Sequence, residues 1–80
     1  MIKVGSIDHF KNGDPRIGGK YAKAEFYEVR DEGNRVVARI VRESDWPYHW
    51  LVRDLNDKIL DRDKYRHDIF ERLERILNDG

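Results

Sequence analysis

Apolar residues recur with two different periods along the chain, and the change falls near Ser44. Before it the alternation is that of strands; after it the spacing is that of helices. Residues 2–10 predict a first strand, in which Ile2 and Val4 flank Lys3 and Ile7 falls out of phase with them. A β-bulge at Gly5 repairs that register, because one extra residue moves every later side chain to the other face. Residues 11–19, KNGDPRIGG, predict a loop rich in glycine.

A second strand over 20–30 places Ala22, Ala24 and Phe26 on one face and Tyr21, Lys23, Glu25, Tyr27 and Val29 on the other. Asp31-Glu32-Gly33-Asn34 predicts a hairpin turn, with Gly33 or Asn34 at positive φ. A third strand over 35–43 has Val36, Ala38 and Ile40 on one face and Val37, Arg39 and Val41 on the other.

Past Ser44, a helix is predicted over about 47–60. Ser44 or Asp45 can cap it, Pro47 fits its first turn, and Tyr48, Leu51, Val52, Leu55 and Ile59 form one stripe. Asp61-Arg62-Asp63 breaks the pattern. Asp61 or Asp63 then caps a second helix over 64–78, with Tyr65, Ile69, Phe70, Leu73, Ile76 and Leu77 on its apolar face. The predicted fold is α+β: one domain over 1–80, a three-stranded antiparallel sheet followed by two C-terminal helices packed on one face, in the order βββαα. Leu51, Leu55, Ile69 and Leu73 are expected to bury together against Phe26 and Ile40. The pattern shows no internal repeat, low-complexity stretch or linker.

Composition narrows the function classes. With 80 residues, 39% of them apolar, there is material for one small core. The 16 basic and 16 acidic residues cancel, so no net field draws the chain to nucleic acid or an anionic membrane. The absence of Cys leaves no disulfide framework and no thiolate metal site. MIKVGSIDHF lacks the apolar core of a signal peptide, and the expectation is a soluble cytoplasmic protein.

Candidate chemistry is sparse. Gly13 and Gly18 have the spacing of the phosphate-binding G-x-x-x-x-G-K-[ST] pattern. Gly19 stands where Lys is required, and a predicted strand follows instead of a helix. His9, His49 and His67 lie on different elements and show no zinc-ligand spacing. Asp54, Asp57 and Asp61 share a flank of the predicted helix, but carboxylates on one helix diverge, and Arg53 and Lys58 offset them. There is no Thr, and Ser6 and Ser44 stand in no nucleophile context. Neither catalysis, a metal nor another cofactor is expected, and no small-molecule substrate.

Two surfaces remain as binding candidates. Lys23, Tyr27, Arg35 and Arg39 place basic and aromatic groups on the open sheet face, a composition that can follow a nucleic-acid backbone and stack bases. Cross-strand ion pairs with Glu25 and packed Tyr/Val pairs account for the same residues without a ligand. The second surface is Trp50. On the predicted helix it lies opposite the stripe, beside Arg53 and Asp57, and Trp46 aligns with it if the helix begins early. An exposed Trp beside an Arg has the composition of a protein-interface hot spot. The alternative is that this chain's own second helix or N-terminal loop covers it. The expected function is a non-enzymatic module that binds a protein partner or self-associates, through the Trp46, Trp50, Arg53, Asp57 side or a sheet edge. Short, charge-dense, Cys-free chains of this class are often accessory proteins of phages or other mobile elements. The alternative is a nucleic-acid-binding domain that uses the open sheet face.

Overall fold

A computed structural model of the protein describes residues 1–11, 25–43 and 49–79. Its element order is β1 (Val4–Phe10), β2 (Phe26–Asp31), β3 (Val36–Arg42), β4 (Trp50–Arg53), β5 (Ile59–Asp63), α1 (Arg66–Glu71) and α2 (Leu73–Asp79). The five strands form one antiparallel meander in chain order. The α+β class stands, but the three-stranded sheet is corrected to five strands. No described helix is long and apolar enough to cross a membrane.

The two added strands come from the segment predicted as the first helix. Trp50, Leu51 and Val52 are all buried, which a one-sided helix cannot arrange but a strand covered on both faces can. Ser44, Asp45, Trp46, Pro47 and Tyr48, which supplied the helix start, lie outside the described residues. After Arg53 the chain reverses. The Asp54 Oδ1 accepts the amides of Asn56 and Lys58 at 2.8 and 2.9 Å, and Asp57 takes φ 64°. Polar side chains that bond local amides compete with helix in this way.

This turn repeats the one between β2 and β3. Arg30-Asp31 and Asn34-Arg35 recur as Arg53-Asp54 and Asp57-Lys58. The amides of Asp31 and Asp54 donate to Arg35 and Lys58 oxygens, and Asn34 and Asp57 donate back to Asp31 and Asp54. Asn34 has φ 67°, as predicted for this turn. Arg30 Nη1 donates to Asn34 O and Arg53 Nη1 to Asp57 O. Even the register slips coincide, at Val29/Arg30 and Val52/Arg53. The chain therefore contains one hairpin built twice, an internal repeat that the hydrophobic pattern alone does not reveal.

The bulge predicted at Gly5 is present: the β1–β2 register shifts between Val4 and Ser6. A Cβ on Gly5 would stand 2.5 Å from the Asp31 carbonyl oxygen, so glycine lets the two backbones close.

The main core lies between the sheet and the helices. Tyr27, Val29, Ala38, Ile40, Trp50 and Val52 meet Ile69, Leu73 and Ile76. The predicted facing of β2 is corrected: Tyr27 and Val29 point to the helices, while Phe26 pairs with Val41 on the opposite face. There Phe10 and Phe26 stack with centroids 4.9 Å apart, and Leu51 lies beside Val41 in register. The predicted joint burial of Leu51, Leu55, Ile69 and Leu73 is corrected too. Ile69 and Leu73 join Ile40, Leu51 lies on the other face, and Leu55 is exposed at the turn. Ala22 and Ala24 lie outside the described residues.

The predicted second helix exists but breaks at Arg72, whose φ −111°, ψ 13° leaves the helical region. Neither Asp61 nor Asp63 caps α1, since both lie in β5. The helical segment instead ties both sheet edges. Arg72 reaches Asp61 and Asp63 of β5 at 3.0 and 2.8 Å. Farther along, Glu74 accepts the Val4 amide, while Asn78 accepts the Ile2 amide and donates to the Ile2 carbonyl. Asp61 and Asp63 stand where the first hairpin has Ala38 and Ile40, so the edge strand substitutes a clamp for core packing.

Candidate functional site

Three residues of the predicted Trp50 surface, Trp50, Arg53 and Asp57, lie among the described residues. Trp50 is 7% exposed, with its ring 5.8 Å from that of Tyr27. The chain covers it itself, because a strand turns toward the helices the side that a helix would have turned outward. Arg53 ends β4 and holds the turn through Asp57 O and an ion pair with Glu43 at 3.7 Å. Asp57 contributes the positive-φ backbone of that turn. Trp46 lies outside the described residues.

The nucleic-acid surface is dispersed. Tyr27 is buried on the helix side, T-shaped against Phe70 at 5.2 Å and stacked on His9 at 4.3 Å. Arg39 does occupy the face opposite the helices, where Glu28 lies 3.7 Å away and also meets Arg30. Arg35 is exposed at the start of β3, and Lys23 lies outside the described residues. Asp54, Asp57 and Asp61, read as a helix flank, are corrected to two turn residues and one residue of β5.

Among the described residues, two further concavities bear on binding. The first is a groove of about 670 Å³ beside β1. Val4, Ile7, Phe70 and Leu73 give it an apolar floor, and Asp68, Glu71, Glu74 and Arg75 stand along it. The Gly5 bulge brings Val4 and Ile7 onto this same side. Ile7 remains 37% exposed on a strand that pairs only with β2 among the described elements.

The second is a cleft of about 370 Å³ at the far end of the sheet, where Arg42, Trp50 and Asp63 are neighbours in register. It gathers Arg42, His49, Lys64, Arg66 and His67 around Tyr65, with Trp50 and Glu25 also lining it. Tyr65 is 52% exposed. The Lys64 ammonium lies 5.8 Å from its ring centre and the His67 ring 5.7 Å away. Glu25 is engaged by His9 at 2.8 Å and Arg42 at 3.4 Å. Burial pushes its pKa up, but the hydrogen bonds and charges of His9 and Arg42 together hold it below its ordinary value. Asp63 is also held low, first by the Tyr65 amide and then by Arg72, and the Arg72 guanidinium is raised by Asp61 and Asp63. The nearby carboxylates are thus ionised and already partnered.

Neither concavity follows from periodicity. Placing Tyr65 on a helical apolar face hides the contiguous run Lys64-Tyr65-Arg66-His67, which is the one sequence signal for the cleft. The groove depends on which strand lies at the edge, and that follows only from the full sheet order. Comparison with known proteins adds no assignment: no family model, no curated protein and no solved structure matches this chain.

Proposed function

We propose that the chain is a small non-enzymatic module that binds a protein partner, taking an extended segment of that partner along the outer edge of β1. The observation that carries this reading is the contrast between the two sheet edges. The edge strand β5 reads ILDRD and is dense in charge, and its Asp61 and Asp63 are engaged by Arg72. Charged, short edge strands discourage pairing. The edge strand β1 is seven residues long and, past the Val4 amide held by Glu74, continues as the uncharged Gly5-Ser6-Ile7 beside the groove. A strand added there gains main-chain hydrogen bonds, while alternate side chains drop toward Ile7 and Phe70. Asp68, Glu71 and Glu74 outnumber Arg72 and Arg75 along the groove, which favours a basic residue in that segment. Such an adaptor suits a cytoplasmic accessory protein of a phage or other mobile element.

The test is selection of peptides from a random library on the immobilised full chain, followed by amide-exchange mapping. Extended peptides bearing a basic residue are expected, with slowed exchange at Ser6 to Asp8. Ile7→Lys should weaken them by about tenfold or more, as loss of a central apolar anchor does, and Leu55→Lys should not. Peptides indifferent to Ile7→Lys, or an empty selection, would refute the reading.

A further inference from the structure

The edge of β1 changes character at Val4. Val4 pairs with Asp31 of β2, while its amide donates to Glu74 Oε2 of α2 at 2.8 Å. Two residues earlier, the Ile2 amide donates to Asn78 Oδ1 at 2.7 Å, and Asn78 Nδ2 donates to the Ile2 carbonyl at 2.8 Å. A carboxamide carries the same donor and acceptor as a peptide group. One residue that gives and takes a hydrogen bond with one residue opposite is what an antiparallel neighbour provides. Asn78 therefore stands at Ile2 as a residue of an added strand would. Its other N–H donates to the Glu74 carbonyl at 2.6 Å, which orients the group on the helix.

The spacing of the two contacts fits the same reading. Glu74 and Asn78 are four residues apart on α2, a rise of about 6 Å. Val4 and Ile2 are two residues apart on an extended chain, a rise of about 6.7 Å. One helical turn thus keeps step with two strand residues, and two side chains of α2 reach alternate residues of the edge. Past Val4 the edge is more open, since Gly5, Ser6 and Ile7 are all exposed.

We propose that Asn78 and Glu74 form a stop on the β1 edge that fixes where a partner segment ends. The inference rests on the reading of β1 as the binding edge and specifies its register. A segment pairs from Gly5 onward and halts at Val4. Any residues that run beyond Val4 gain no main-chain bond without breaking those that α2 already makes. A staple that merely held the start of the chain would leave the length of the partner without influence.

The experiment uses random nonapeptides selected on the immobilised full chain. Each binder is then trimmed at the end nearest Val4, which a nitroxide on the peptide locates by broadening nearby amide signals. On the wild type, removing the residues that overhang Val4 should change affinity by less than about twofold, because they form no main-chain hydrogen bond. On Asn78→Ala the same residues should strengthen binding by about threefold or more, since Ile2 then offers them one donor and one acceptor. Exchange of the Ile2 amide should be slowed in the wild type, fast in the free variant and slow again with the untrimmed peptide bound. Asn78 does not line the groove, alanine is a better helix former, and unchanged thermal unfolding checks the fold. Asn78→Ser, with a shorter side chain, serves as a second variant with the same expectation. The same trimming profile on wild type and variants, with binding still lost on Ile7→Lys, would overturn the stop and leave the β1 reading standing. Binders indifferent to Ile7→Lys, or an empty selection, would overturn both.

Discussion

Trp50 and Leu55 exchange the roles that helical spacing gives them. Trp50 is in the core, so Trp50→Ala should destabilise the monomer by about 3–5 kcal/mol, the range for a buried aromatic truncated to alanine. In a Trp46→Phe background its fluorescence should be blue-shifted and resist iodide; emission like that of free indole would contradict the burial. Leu55 is 55% exposed at the β4–β5 turn, and Leu55→Ala should change stability by no more than about 0.5 kcal/mol in urea unfolding. Gly5 is governed by space. A methyl group at that position meets main-chain oxygen of Asp31, which cannot rotate away as a side chain does. Gly5→Ala should therefore cost about 1–3 kcal/mol, the usual penalty of overpacking. An unchanged urea midpoint would mean that the bulge opens without strain.

Among the elements, the join between β5 and the helices rests on Arg72. Its charge-assisted bonds to Asp61 and Asp63 should make Arg72→Gln cost about 1.5–3 kcal/mol near neutral pH. The acid side follows from linkage. Asp63 has a folded pKa below its ordinary value of 3.8, so its contribution is complete above that value and is lost as pH falls through the lowered folded value. Glu25 has the same sign, below its ordinary 4.5. Wild-type stability should therefore fall below about pH 4, and the gap between wild type and Arg72→Gln should narrow over the same window. Urea midpoints at pH 7, 4 and 2.5 measure this, and a gap independent of pH would contradict it. The same elements show what is legible in the sequence. The β2–β3 turn, the bulge at Gly5 and, apart from Tyr65, the apolar face of the last helices follow from local chemistry. The β4–β5 hairpin does not follow from periodicity, because a strand buried on both faces has no alternation, and Leu51, Val52, Leu55 and Ile59 then satisfy helical spacing by accident. The legible signal was the turn: Arg53-Asp54 to Asp57-Lys58 repeats Arg30-Asp31 to Asn34-Arg35.

For the whole molecule, site and fold stood or fell together. A helix over 47–60 makes Trp50 surface and Tyr65 core; the hairpin of β4 and β5 reverses both assignments, and the cleft forms from residues that no single element contains. Strand order also decides which strands lie at the edges, so no local pattern reveals the β1 groove. The contacts of Asn78 and Glu74 with Ile2 and Val4 have a consequence for topology. They set the two ends of the described chain side by side, while the exposed reversal at Glu32-Gly33 carries no core residue. Ends that meet in this way make the fold nearly a closed loop in sequence space. A circular permutant, joined through a short glycine-rich linker between the old ends and opened between Glu32 and Gly33, should keep the native amide NMR pattern away from the cut and unfold cooperatively. It should also tolerate seating between two strands of a host protein, entering and leaving at neighbouring points. Loss of dispersed amide signals on permutation would show that the ends must stay free for the sheet to form.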